Sequence, residues 1–293
     1  MNKRSKEKVI EGLLAACALL TILTTAGILY VLAFEAYNFF SEVSIVEFLT
    51  DNQWTPLFAD KHFGIMPLLS GTLLTSTIAI LVALPTGLTI ALYLNEYSSS
   101  RFKNIIKPIL EVLASVPTVV YGFFALTVVT PFLQSLIPNM SGFNSLSAGF
   151  VMGIMIIPYV SSLSDDAISA VPRYIREGSL ALGANRYQTA VRVIIPSASS
   201  GIIVSAILAI SRAIGETMIV AIAAGQQATL TLNPLVPIET ITTYIVKVSL
   251  GDVAHNSLEY RTIFAAGITL FVFTFLLNNL SYYLNKKFQK KYV

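Results

Sequence analysis

Six long apolar segments constrain this sequence more than any other feature. A helix needs roughly 20 mostly apolar residues to cross the hydrocarbon core of a bilayer, and each segment reaches or approaches that length. The segments are Val9–Phe34, Leu68–Leu94, Ile109–Phe132, Leu146–Leu163, Ser199–Ala224 and Thr262–Leu284. The sequence therefore predicts an all-α membrane protein, with six transmembrane helices in a single domain that covers residues 1–293.

The composition agrees with a membrane environment, in which lipid is the main partner of the surface. Charged residues make up 12% of the chain, whereas ordinary soluble domains carry about 25%. No basic patch is interleaved with aromatic residues, so we expect no nucleic-acid partner. The single cysteine, Cys17, excludes an intrachain disulfide, and no residue pattern predicts a metal or a cofactor.

The first apolar segment follows the basic start MNKRSKEK, which is also typical of a secretory signal peptide. Its apolar stretch is longer than the 7–15 residues usual in such peptides, and no small-residue cleavage site follows it. We therefore expect this segment to remain as a true transmembrane span.

Basic residues predict the orientation, because Lys and Arg accumulate in cytoplasmic loops. With the N-terminus inside, fifteen of the 19 Lys and Arg residues fall in cytoplasmic segments. The outer segments, about 35–67 and 226–261, hold Lys61, Lys247 and Arg261. We predict a multi-pass protein of the plasma or inner membrane with both termini in the cytoplasm. The outer segments would form a folded cap, an interfacial helix or a surface that docks a partner.

The longest predicted cytoplasmic loop, about residues 164–197, has the pattern of two short amphipathic helices separated by Gly183. Periodicity alone is equally satisfied by an interfacial or re-entrant connector, with arginines that meet anionic lipid headgroups. However, the order of residues also resembles the EAA loop of ABC importer permeases. Glu177 is followed by two small residues, then after three residues by Gly183, and after nine more by the string VIIP.

In that family the loop forms a coupling helix that docks in a groove of the ATPase subunit. The resemblance implies the type I permease fold of ABC importers, a docking role for Glu177 and a tight turn at Gly183, which tolerates positive φ. The chain has no phosphate-binding loop of the form G-x-x-x-x-G-K-[ST]. We therefore expect ATP hydrolysis in a separate subunit and do not expect this chain to be an enzyme.

Two charged residues, Arg212 and Glu216, interrupt the fifth apolar segment. An arginine or carboxylate at mid-membrane costs about 2.5–3.5 kcal/mol on insertion scales, so such residues face a bundle interior or a water-filled cavity. Their spacing of four would place both side chains on one helix face. This predicts either a structural ion pair or a substrate contact, because an arginine fork matches phosphate or carboxylate oxygens. Glu216 would then neutralise Arg212 when the path is empty.

Small residues recur every four positions on two of the predicted spans, which allows close helix approach. They are Gly201, Ser205, Ala209 and Ala213 on the fifth span, and Ser145, Gly149 and Gly153 on the fourth. We therefore expect a close-packed bundle with a charged seam.

The strings RAIGET, SVPTVVYGFFAL and IMIIPY resemble the permease subunits of phosphate ABC importers, and the pattern is most similar to the PstC type. The resemblance implies a phosphate path formed with a second, related permease, an ATPase inside and an extracytoplasmic phosphate-binding protein outside. It places Arg212 and Glu216 on that path. Pro117 and Pro158 match prolines that bend helices along it, with either a gating role or consequences for packing only.

Other functions also fit the residues. Importers for sulfate or molybdate share much of this architecture. A proton-coupled secondary transporter could use Arg212 and Glu216 as a relay, although no inverted repeat is visible in the six spans. A membrane scaffold or sensor that transports nothing would tolerate neutral residues at both positions.

Overall fold

The computed structural model describes residues 3–255 and 257–292, and these are mostly helical. The helices in chain order are α1 (Lys3–Glu42), α2 (Ile45–Thr50), α3 (Met66–Glu96), α4 (Ser100–Ser115), α5 (Thr118–Leu136), α6 (Ser145–Ser169), α7 (Arg173–Ala181), α8 (Arg186–Ser197), α9 (Ser199–Ile214), α10 (Met218–Ala223), α11 (Ile241–Ser249) and α12 (Leu258–Tyr292). Both α5 and α8 contain one π turn, at Ala125–Val129 and Ala190–Ile194.

Within the described residues, five helices are each long and apolar enough to cross a membrane: α1 from Ile10, α3, α5, α6, and α12 as far as Leu280. The pair α8 and α9, bent by 71°, is a sixth candidate. The predicted set of spans is therefore confirmed in number and order when the bent pair counts as one. The shortest predicted span, Leu146–Leu163, is longer in the structure because α6 has 25 residues.

The third predicted span is wrong at its beginning. Residues 100–115 form the separate amphipathic helix α4, and the span α5 starts only at Thr118. Pro117 stands between the two helices with ψ 137°, and Val116 before it is extended. Proline cannot donate an N–H and disfavours the α conformation of the preceding residue. Pro117 therefore separates two helices instead of bending one.

The fifth predicted span, Ser199–Ala224, is also wrong as a continuous helix. Helix α9 ends at Ile214 and α10 begins at Met218, so Glu216 lies in a non-helical break. Two contacts hold the break. The Glu216 carboxylate accepts backbone hydrogen bonds from α10, and the Glu216 carbonyl accepts one from Thr242 Oγ1 at 2.9 Å. Arg212 and Glu216 consequently do not share a helix face.

The bundle core forms where α3, α6 and α9 pack through small residues. A Cβ added to Gly149 would lie 2.8 Å from Ile78 Cβ, and one added to Gly153 would lie 2.7 Å from Val82 Cβ. Neither position has room for a side chain, which confirms the predicted close approach. On α9, the predicted small residues at positions 205, 209 and 213 are buried as well.

The two predicted outer segments pack together into a cap, which we define as residues 35–67 and 226–261. Its centre is a row of edge-to-face rings from Phe39, Phe48, Trp54 and Tyr244, with neighbouring centroids 5.9, 6.1 and 5.0 Å apart. All four side chains are buried. Of the alternatives for these segments, the structure contains the folded cap.

Candidate functional site

A cavity of about 290 Å³ lies between α4, α6 and the end of α9. Its wall on α6 has the spacing of one helix face, because positions three, four and seven apart lie above one another. Helix α4 supplies a second wall and α9 supplies one residue. The lining residues include Lys107 and Glu111 from α4, Pro158, Tyr159, Ser161, Ser162 and Asp165 from α6, and Arg212 from α9.

Arg212 lies in the last turn of α9, with its side chain exposed to the cavity. Its guanidinium carbon is 5.4 Å from the centroid of the Tyr159 ring, a distance at which the face of the ring attracts the cation. A cation is also favoured near a helix C-terminus, where unpaired carbonyls carry partial negative charge. The ring contact and the end of the helix both favour the guanidinium at this position, and its exposed N–H donors are available to an anion in the cavity.

Glu216 does not form the predicted ion pair. Among the ion pairs of the described residues, none joins it to Arg212. Its Oε1 atom accepts hydrogen bonds from the N–H groups of Met218 at 3.0 Å and Ile219 at 3.3 Å. The first N–H groups of a helix have no partner inside the helix, and a carboxylate satisfies them. Glu216 therefore caps α10.

Asp165 is the cavity-lining carboxylate that pairs with a basic side chain. Sequence reasoning missed it as a site residue. Its side chain is 5% exposed, and its oxygens lie 2.7 Å from Lys107 Nζ and 3.2 Å from Lys103 Nζ. Asn95 Nδ2 donates a third bond at 3.0 Å. The signal in the sequence was an acidic residue seven positions after Pro158, at the end of an apolar helix.

A chain of polar contacts continues from Asp165 to α7. Asn95 also accepts a bond from Arg176 at 3.2 Å, and Arg176 pairs with Glu96 at 2.6 Å. Since Arg176 lies on α7 and Asn95 and Glu96 end α3, these contacts connect α7 with the Asp165 side of the cavity.

The predicted helix–turn–helix of the loop 164–197 is present as α7 and α8. Gly183 lies in the turn between them with φ +86°, a conformation that favours glycine. Glu177 is exposed on α7, and Leu182 beside the turn is 91% exposed.

The structure brings two of the six predicted site residues to the cavity, Arg212 and Pro158. Pro158 is buried inside α6. Because it has no N–H, it leaves a carbonyl one turn earlier without its helical partner. Glu216 lies in the break between α9 and α10, Pro117 between α4 and α5, and Glu177 and Gly183 on the exposed loop.

Helices long and apolar enough to cross a membrane, an arginine side chain in a cavity between helices and an exposed helix–turn–helix are features that fit the class of membrane permeases. The chain belongs to the family of binding-protein-dependent transport system inner membrane components, whose model matches residues 83–290.

Individual relatives agree with this family. The chain is 33% identical to the probable ABC transporter permease protein YqgH of Bacillus subtilis, over 98% of this chain and 93% of that protein. It is 32% identical to the probable phosphate transport system permease protein PstC of Methanocaldococcus jannaschii, over 90% of each. It is 30% identical to PstC of Mesorhizobium japonicum, over 95% of this chain and 89% of the relative.

Solved structures confirm the predicted fold. The chain matches one from a bacterial ABC transporter that imports the acidic polysaccharide alginate, with a TM-score of 0.66 at 18% identity, over 98% of this chain and 99% of the other. It also matches a chain of the MetNI methionine ABC transporter, with a TM-score of 0.56 at 16% identity, over 77% and 94%. The fold is therefore that of an ABC importer permease.

Proposed function

We propose that this chain is a transmembrane subunit of an ATP-driven importer of inorganic phosphate. The observation that carries the proposal is Arg212, which lines the cavity with its guanidinium held on the Tyr159 ring. A guanidinium presents N–H donors in a planar fork that matches two oxygens of a phosphate. The identity of about 30% to phosphate transport permeases supports the same substrate.

The partners follow from the family resemblance. The path would be completed by a second, related permease, and α4 offers it an exposed apolar surface with Phe102, Ile105, Ile109 and Val112. An ATPase subunit would hydrolyse ATP and dock on α7 and α8, where Glu177, Gly183 and Leu182 are exposed. An extracytoplasmic phosphate-binding protein would deliver phosphate at the cap, with both termini in the cytoplasm.

Transport would follow alternating access. ATP binding would move α7, and the contact of Arg176 with Glu96 and Asn95 would pass this movement to the end of α3. Asn95 bonds to Asp165, so the wall of the cavity would shift with it. Pro158 would ease this change, since its helix lacks one backbone hydrogen bond beside the cavity.

A proton-coupled carrier is not supported by the geometry of the site. A relay between Arg212 and Glu216 needs the two side chains in contact, whereas the Glu216 carboxylate is occupied by the N–H groups of α10.

The substrate is tested by uptake into cells that lack this chain, with and without a plasmid that restores it. Labelled phosphate, sulfate and molybdate are supplied separately. We expect the plasmid to restore phosphate uptake alone. Uptake of sulfate or molybdate instead would transfer the proposal to that oxyanion, and no change for any oxyanion would end it.

Coupling is tested by Glu177→Lys, with Glu7→Lys as a matched charge reversal at an exposed position outside the loop and the cavity. We expect Glu177→Lys to release the ATPase from control by substrate, so that ATP is hydrolysed without uptake. If the Glu177→Lys transporter binds its ATPase and transports as the wild type does, the docking role of α7 is wrong.

A further inference from the structure

Two basic side chains line the cavity at different levels along α6. Arg212 lies over Tyr159, whereas Lys107 is paired with Asp165. Tyr159 and Asp165 are six positions apart on α6, which corresponds to about 9 Å along the helix axis. Arg212 and Lys107 therefore reach the cavity at two different levels along α6.

We propose that Lys107 is a second anion-binding residue of this cavity, which receives the anion after Arg212, and that Asp165 is the residue that positions its ammonium group. The inference rests on the proposed function, because it assumes that an oxyanion crosses the cavity. It assigns the direction of passage from Arg212 towards the end of α6 that carries the loop 164–197.

Lys107 can exchange its contact with Asp165 for a contact with an anion. Its side chain is 45% exposed and lines the cavity, while its Nζ atom is 2.7 Å from Asp165. An ammonium group has three N–H donors, and the Asp165 contact uses one of them. When Lys107 turns towards an anion, the buried carboxylate keeps its bonds from Lys103 and Asn95. The exchange therefore leaves no buried charge without a partner, which would otherwise be costly.

Hydroxyl groups line the cavity between the two levels. Ser161 and Ser162 lie on α6 after Tyr159 and before Asp165, and both line the cavity. A hydroxyl can donate one hydrogen bond to an anion oxygen. An anion that leaves Arg212 consequently meets donors before it reaches Lys107.

The formal charges that line the cavity balance. Lys107 and Arg212 are cations, and Glu111 and Asp165 are carboxylates. An anion is therefore held by donors at defined positions and not by a strong net field, which favours release over trapping. The Glu111 carboxylate can also accept a bond from a protonated phosphate oxygen, because an ionised carboxylate is an acceptor only.

Lys103 provides a matched control, because both lysines contact the same carboxylate and only Lys107 lines the cavity. The test measures the KM and maximal rate of inorganic phosphate uptake by the complete transporter in vesicles. We expect Lys107→Gln to raise KM about tenfold, the effect of losing one charge-assisted hydrogen bond. Lys103→Gln should stay within about twofold of the wild type, and Lys107→Arg should restore most of the affinity. Equal KM values for Lys107→Gln and Lys103→Gln would reduce Lys107 to a partner of Asp165.

The positioning role of Asp165 is tested by a double-mutant cycle. Asp165→Asn keeps the shape and the bond to Asn95 but removes the charge that holds Lys107. We expect it to change the KM for phosphate in the wild-type background and to have no further effect beside Lys107→Gln. The same change in both backgrounds would show that Asp165 acts through another group.

The two proposals fail in different ways. If the wild-type transporter moves sulfate but not phosphate, the proposed substrate is wrong, and the lysine comparison is repeated with sulfate. If the wild type moves phosphate and Lys107→Gln leaves KM unchanged, this inference is wrong and the proposed function stands.

Discussion

The cap and the cavity both contain an arginine, carboxylates and a large aromatic ring, but they arrange them differently. In the cap, Arg261 pairs with Glu42 at 2.8 Å and with Glu35 at 3.5 Å, and Trp54 is buried among other rings. In the cavity, Arg212 is exposed over one ring. An arginine paired with two carboxylates stabilises the fold, whereas one whose donors remain available can bind an anion.

The largest effect should come from the aromatic centre of the cap. Trp54→Ala removes a side chain that is 3% exposed and should lower the free energy of unfolding by about 3–5 kcal/mol. Tyr159→Ala, which removes a half-buried ring beside the cavity, should cost about 1 kcal/mol. Both are measured by thermal unfolding of the purified protein in detergent. Similar losses for the two variants would contradict the division into a closely packed cap and a cavity with half-buried walls.

Transport should respond in the opposite way. Arg212→Gln should lower phosphate uptake about 100-fold, equivalent to about 2.8 kcal/mol, because the anion loses its first cation. The control in the cap, Arg261→Gln, should keep uptake within about twofold and lower thermal stability slightly. Uptake and assembly are measured on the same membranes. Normal uptake by Arg212→Gln would make this residue a packing element.

A smaller effect separates two roles of Glu216, a cap of α10 or a charge in the substrate path. If it caps α10, Glu216→Ala should cost about 1 kcal/mol of stability. Glu216→Gln should cost less, because its amide oxygen still accepts from Met218 and Ile219. Thermal unfolding and uptake are measured for both variants. Loss of uptake in Glu216→Gln with unchanged stability would instead support a role for the charge in the path.

The smallest effect is a pH dependence of the cap. A hydrogen bond between His62 Nδ1 and Asp51 Oδ2, 2.8 Å apart, raises the pKa of His62 above its ordinary value. The folded state therefore favours the protonated ring. This stabilisation is present below the ordinary pKa of about 6.5 and is lost as pH rises through the raised value. His62→Gln should abolish this dependence in thermal unfolding between about pH 5.5 and 8.5; an unchanged profile would assign it to another group.

Several features were predictable because they depend on interactions that are local along the chain. Segment length and apolar content predicted the spans, since the bilayer sets both. Gly183 was predictable as a turn from its freedom to adopt positive φ. The small residues at positions 149 and 153 predicted close helix packing for a steric reason that needs no knowledge of the partner helix.

The functional site was predictable only in part. The cost of a charge in the membrane correctly placed Arg212 beside a cavity. The spacing of four misassigned the partner of this charge, because it assumed one continuous helix through Glu216. That helix is broken where Thr242, from a distant part of the chain, donates to the Glu216 carbonyl.

The sequence by itself determined a helical membrane protein with its spans in order, a tight turn in the loop 164–197 and a membrane-embedded arginine. Only the tertiary structure decided that Asp165, and not Glu216, lines the cavity and pairs with a basic side chain there. The physical reason is that Asp165 receives its bonds from Asn95, Lys103 and Lys107, about 60 to 70 residues earlier. A local sequence pattern predicts the interactions within one helix. Which charged residues from distant parts of the chain meet depends on how the helices pack.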